Sequence, residues 1–199
     1  IFDKRGTGDS DGVYDDNPDF TLLAADLQEA FNYVINRPDV DKSKVGIIGI
    51  SQAAWVLPIA LQKLNNVAFT ICTSCPMVPP YQSDLFQKGR QLKEEGFSDS
   101  DINHILEYNR TVTEYVATFE NRQNVIDLKQ KYKSKKWFQD FEYSAELSPE
   151  DTLKTDRYDH YRKSVFNPIP LWQKVTSPLL LVYGGKDSHI PVEGSIKMV

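Results

Sequence analysis

Gly49-Ile50-Ser51-Gln52-Ala53 is the segment whose residue types and spacing are best suited to covalent chemistry. A serine on a sharp strand-to-helix turn holds its hydroxyl clear of the backbone, and small residues two before and two after it let the crossing chain segments approach closely. At the start of the helix, the backbone N–H of Gln52 would face a negative charge developing on a carbonyl oxygen. A serine so placed is suited to acyl transfer. The structural alternative is that Ser51 merely caps an ordinary helix.

A second candidate is Asp187. It follows the apolar run Val175 to Tyr183 and the turn Gly184-Gly185. That order puts its carboxylate at the C-terminal edge of a sheet, where ligands and catalytic groups gather in open α/β architectures. Alternatively, Asp187 organises only its own turn. Arg5 has two readings as well: a clamp on a substrate carboxylate, or an ion pair supporting the surrounding loops. Cys72 and Cys75 suggest redox or metal chemistry by their spacing. With no second Cys/His pair nearby, they fit better as small thiols packed in a core, and no metal site is expected. Asn109-Arg110-Thr111 has the form of a glycosylation acceptor. Tyr108, Tyr115, Phe119, Tyr132, Trp137 and Phe138 either line an apolar pocket or pack helix against helix.

The elements that must position these groups follow from periodicity. Thr21 to Asn36 places Leu23, Leu27, Phe31, Val34 and Ile35 on one helical face, and Arg37-Pro38 stops the pattern. Lys44 to Ile50 is a near-continuous apolar run, as in a parallel strand buried on both faces. Ser51 follows it directly. Gln52 to Leu64 returns to helical spacing despite Pro58, and Val67 to Thr73 is again strand-like, so the three make a βαβ unit. Phe2 reads as the tail of a strand before the Gly- and Asp-rich stretch 3–12. From residue 81 to 172 the strand-like runs vanish. Ser98-Asp99-Ser100-Asp101 opens a helix that carries Ile102, Ile105, Val112 and Val116 on one face, and a further helix is predicted over Val125 to Tyr132. Val175 to Tyr183 restores the buried-strand pattern. The prediction is an α/β domain, residues 1–80 and 173–199, interrupted by a helical insertion, 81–172.

Composition excludes several classes. The chain has 199 residues, 40% hydrophobic and 26% charged, with 10 Gly and 11 Pro, which rules out collagen-like and low-complexity architectures. Its formal charge of -5, from 28 acidic and 23 basic residues, supplies no basic field for a nucleic-acid backbone or an anionic membrane. No apolar run approaches the roughly 20 residues of a spanning helix.

Three segments together resemble the α/β-hydrolases, in particular bacterial capped serine esterases and peptidases. Phe2 to Gly12 is similar to the loop after the family's fourth strand, Gly46 to Trp55 to its nucleophile elbow, and Leu181 to Pro191 to its acid-bearing loop. The resemblance implies the α/β-hydrolase fold with a helical cap, Ser51 as nucleophile, the Gln52 N–H in the oxyanion hole, and Asp187 orienting a histidine. It also implies a cofactor-independent hydrolase acting on a small-molecule acyl substrate. Carboxylic esters are the expected substrates, by way of an acyl-enzyme. The alternatives are a prolyl-oligopeptidase- or aminopeptidase-like serine peptidase and an acyl thioesterase. Where relatives often carry His before the serine and Gly-Gly beyond it, this chain has Ile50, Ala53 and Ala54, which motivates a further alternative, a non-catalytic binding protein on the same scaffold. None of His104, His160 and His189 matches the family's histidine position. The family's sheet also places its third strand between the fourth and the fifth, and no segment of this sequence supplies it; with the histidine mismatch, this leads to the expectation that the 199 residues are an interior piece of a longer hydrolase.

Overall fold

The computed structural model describes residues 2–141 and 156–197. The chain folds as an α/β unit, Ile1–Val78 with Pro168–Asp187 and Val192–Val199, and a helical unit, Pro79–Asn167 with Ser188–Pro191.

In the α/β unit, helix α1 spans Phe20–Ile35, and the Asp19 carboxylate starts it by accepting from the Thr21 N–H at 2.7 Å. Its apolar stripe buries Leu23, Ala24 and Phe31. Strand β1 is Ile47–Ile50, helix α2 Ala53–Leu61 and strand β2 Thr70–Thr73. Strand β3, Leu179–Val182, completes a parallel sheet of order β1-β2-β3. In register, Ile50, Thr73 and Val182 lie side by side, so the three strands end level. The sequence expectation of strands buried on both faces is corrected here. Ile47 and Cys72 pack with Phe31, Ala54 and Leu57, whereas Ile48 and Ile50 are each 67% exposed and Leu180 55%. Among the described residues the sheet is covered on one face only, and each strand is four residues long rather than seven to nine. Phe2 is likewise in no described strand.

Pro58 lies inside α2, where it has no N–H to donate to the carbonyl of Ala54 one turn earlier. That acceptor is met from elsewhere in the chain. The indole N–H of Trp172, in the short helix α8 (Ile169–Trp172), donates to the Ala54 oxygen at 2.9 Å in a buried contact. The Gln62 side chain adds donations to the carbonyls of Pro58 and Leu171, at 3.1 and 3.2 Å. A helix that propensity alone would break is thus kept intact by a partner more than a hundred residues away.

The helical unit contains α3 (Pro80–Glu94), α4 (Asp99–Thr118), α5 (Arg122–Tyr132), α6 (Phe138–Phe141) and α7 (Asp156–Ser164). Ser98 caps α4 by accepting from the Asp101 N–H at 3.1 Å. The aromatic residues resolve in favour of packing: Tyr108, Tyr115, Tyr132, Trp137 and Phe138 are buried in one cluster with Leu92, Ile105 and Val112, and Phe119 packs against it. The Tyr132 hydroxyl donates to the Glu107 carboxylate, which holds that carboxyl below its ordinary titration range. Asn109 is only 7% exposed in the middle of α4, so the folded unit does not present its glycosylation motif.

Replacing Trp172 with Phe keeps an aromatic ring but removes the indole N–H. The buried Ala54 carbonyl then loses its partner, and unfolding free energy is expected to fall by about 1–3 kcal/mol in urea denaturation. An unchanged midpoint and slope would show that Ala54 finds another donor.

Candidate active site

Ser51 follows β1 directly and adds one more ladder bond, its N–H donating to the Thr73 oxygen at 3.1 Å. Its backbone then turns left-handed, with φ 52°. For a non-glycine residue that conformation costs roughly 1–3 kcal/mol and persists only where the surroundings enforce it. They do so through Gly49. A Cβ on Gly49 would stand 2.6 Å from Ala53 Cβ and 2.6 Å from Leu57 Cδ1, so α2 crosses β1 too closely for any larger residue at position 49. The left-handed step at Ser51 reverses the chain tightly enough to bring α2 back over the strand. The residue flanking the helix start is Gln52, with helical φ and ψ of -50° and -21°, and Ser51 stands one residue before it. Ser51 is exposed at the C-terminal edge of the sheet.

Among the described residues nothing accepts a hydrogen bond from the Gln52 N–H. It is one of the donors that every helix start leaves without an intrahelical partner. The Gln52 side chain is anchored instead, its Oε1 accepting from Lys4 Nζ at 2.8 Å. Lys4 belongs to the Gly- and Asp-rich loop, which is held in turn by a forked ion pair from Arg5 Nε and Nη2 to the Asp26 carboxylate on α1, at 2.8 and 2.5 Å. Arg5 is therefore committed to a structural pair, and that pairing raises its pKa. A cleft of about 680 Å³ opens beside Gln52, with Lys4, Tyr14, Asp15, Asp16 and Asp19 among its walls.

Asp187 stands five residues beyond the end of β3 and is half-buried. Its N–H donates to the Gly184 oxygen at 3.1 Å, closing the Gly184-Gly185-Lys186-Asp187 turn. The elbow and the root of the Asp187 loop leave the same edge of the sheet. They are two strands apart, a spacing of roughly 10 Å at the usual strand separation. His104 packs against Tyr132 with the rings tilted and their centroids 4.8 Å apart, and His189 Nδ1 lies 3.2 Å from Ser188 Oγ. Both belong, with His160, to the helical unit.

Cys72 and Cys75 are free and fully buried in the core of the α/β unit. Among the described residues no group of three His, Cys, Asp or Glu side chains could hold a metal ion, and no helix is long and apolar enough to cross a membrane. Three contacts had no local signal in the sequence: Lys4 with Gln52, Trp172 with Ala54, and the Tyr183 hydroxyl with the Cys75 carbonyl at 2.7 Å. Each joins segments at least 48 residues apart.

An α/β unit with parallel strands, a strained serine at a strand-to-helix turn and an acid-bearing loop on the same edge fits the serine hydrolases as a class. The family model of the X-Pro dipeptidyl-peptidases (S15 family) matches residues 1–199, and the chain belongs to that family. It is a family of serine peptidases of α/β-hydrolase type. The hydrolase class expected from the sequence is therefore supported, and within it the match favours the peptidase alternative over the ester hydrolase placed first. A comparison with curated proteins returned no match.

The contact at Gly49 makes its replacement by Ala a sharp test of the elbow. Gly49→Ala is expected to lower unfolding free energy by about 1–3 kcal/mol, as overpacking does. Gly185→Ala, where the added methyl meets nothing within 4 Å, serves as the control and is expected to stay within about 0.5 kcal/mol of the parent. Equal stabilities for the two variants would mean that α2 can shift away from β1 without cost.

Proposed function

We propose that the protein is a serine peptidase that releases X-Pro dipeptides from the amino termini of peptides, with Ser51 as its nucleophile. The observation that carries this reading is the left-handed Ser51, forced by the Gly49–Ala53 approach and exposed at the carboxyl edge of the sheet. Membership of the X-Pro dipeptidyl-peptidase family supports the choice of substrate class.

In this reading Ser51 Oγ attacks the carbonyl carbon of the substrate proline while a histidine oriented by Asp187 takes its proton. The Gln52 N–H donates to the oxyanion that forms. As the tetrahedral species collapses, the C–N bond breaks and the histidine returns the proton to the departing amine. Water, activated by the same base, then frees the dipeptide from the acyl-enzyme. The cleft beside Gln52 is the proposed seat of the dipeptide. Of its charged lining, Lys4 is engaged by Gln52 and Arg5 by Asp26, and the three carboxylates Asp15, Asp16 and Asp19 suit a substrate bearing a free ammonium group better than a neutral ester.

The test compares Gly-Pro-p-nitroanilide with p-nitrophenyl acetate, using the full-length protein and its Ser51→Ala variant. The expected result is preferential cleavage of the anilide, with kcat reduced on the order of 10⁴-fold or more in Ser51→Ala. Equal turnover by both proteins would remove Ser51 from the mechanism. Ester cleavage without anilide cleavage would replace the peptidase by the esterase.

A further inference from the structure

A hydrogen-bond chain, part-buried at one link and fully buried at the other, runs from the root of the Asp187 loop to the elbow. Tyr183, the first residue beyond β3, donates its hydroxyl to the Cys75 carbonyl at 2.7 Å. Cys75 in turn points its Sγ at the Gly49 carbonyl, 3.7 Å away in a fully buried contact, two residues before Ser51. The linking segment is held on both sides. The Ser74 N–H donates to the Val182 oxygen at 2.9 Å, with Ser74 itself left-handed at φ 47°. The Met77 N–H donates to Ser195 Oγ at 3.2 Å, and Ser195 lies in α9 (Val192–Ile196), beyond the Asp187 loop. Burial pushes the Tyr183 phenol up to about 12, so it stays protonated and remains a donor across the working pH range of a peptidase. Neither Tyr183 nor Cys75 is placed to touch substrate in the proposed mechanism.

We propose that Tyr183 is a positioning residue: by tying the start of the Asp187 loop to Cys75, and through Cys75 to Gly49, it sets where the carboxylate stands relative to Ser51. This rests on Ser51 and Asp187 acting as nucleophile and orienting acid. The chain is suited to the task because its Cys75–Gly49 link is fully buried and its Tyr183–Cys75 link, 2.7 Å long, is partly so, which limits competition from water. A displacement of about 1 Å in a catalytic group is enough to cost roughly 10²-fold in rate.

The test is a double-mutant cycle on the full-length protein, read as the rate at which a fluorophosphonate probe labels Ser51, which needs no assumption about the natural substrate. Tyr183→Phe, which removes one oxygen, is expected to slow labelling by about 10-fold. In an Asp187→Asn background the same change is expected to do nothing further, because the group it positions is already disabled. An effect of equal size in both backgrounds would assign Tyr183 a merely structural role, and no effect in either would remove it altogether. Should Tyr183→Phe fail to fold, Ser195→Ala loosens the other side of the linking segment and enters the same cycle with the same expectations. Wild-type protein that does not label at Ser51 overturns the site and this inference together. Labelling that is lost in Ser51→Ala and slowed in Asp187→Asn, yet unchanged in Tyr183→Phe, overturns the positioning role alone.

Discussion

The close passage of α2 over β1 is the constraint on which the α/β unit depends. It is set by two missing side chains, since Gly49 has no Cβ and Ala53 nothing beyond one. Only with both absent can Leu57 and Ala54 settle against the strand and bury the core that also holds Phe31, Ile47 and Trp172. The turn joining strand to helix must then be very short, and Ser51 absorbs the cost by adopting a left-handed backbone. Burial of the helix thus supports the strain at the serine. The same geometry leaves the Gln52 N–H at the helix start without a protein acceptor among the described residues.

Bonds between segments distant in sequence secure this arrangement. Pro58 leaves the Ala54 carbonyl without its helical donor, and Trp172 supplies one. Lys4 steadies the Gln52 side chain, and the Arg5–Asp26 fork steadies the loop that carries Lys4. The chain from Tyr183 to Gly49 runs on the other side of the elbow. Residues on both sides of the helical segment therefore fold into one unit. Most of these links are single hydrogen bonds, individually worth about 1 kcal/mol, but a buried carbonyl left unpaired costs more than the bond itself contributes.

Much of this architecture was legible in the sequence because it rests on local chemistry. Ser98 starts the helix it precedes, and of the apolar residues that the period of α1 selects, Leu23 and Phe31 are buried, Leu27 and Ile35 are half-buried and Val34 is exposed. The βαβ unit follows from a change of period across Ser51. Burial on both faces of β1 was not borne out, because Ile48 and Ile50 have the same composition as core residues, and hydropathy does not tell which face of a sheet is covered among the described residues. Asn109-Arg110-Thr111 fits an acceptor pattern by spelling, but a helical period that buries position 109 overrides it. Arg5 offered two plausible partners, and the choice of Asp26 depended on how α1 docks. Substrate preference was the least legible feature, since an elbow prepares a serine for acyl transfer without stating whether the acyl group arrives as an ester or an amide.

Central to the proposed mechanism is a strained turn that presents one nucleophilic oxygen to a carbonyl whose developing charge falls on the Gln52 N–H. An experimental structure of the full-length protein after reaction with a fluorophosphonate tests this most directly. Phosphorus bonded to Ser51 Oγ, with a phosphonyl oxygen about 3 Å from the Gln52 nitrogen, is the predicted result. An adduct on a different residue, or one on Ser51 whose oxygen turns away from Gln52, would contradict it.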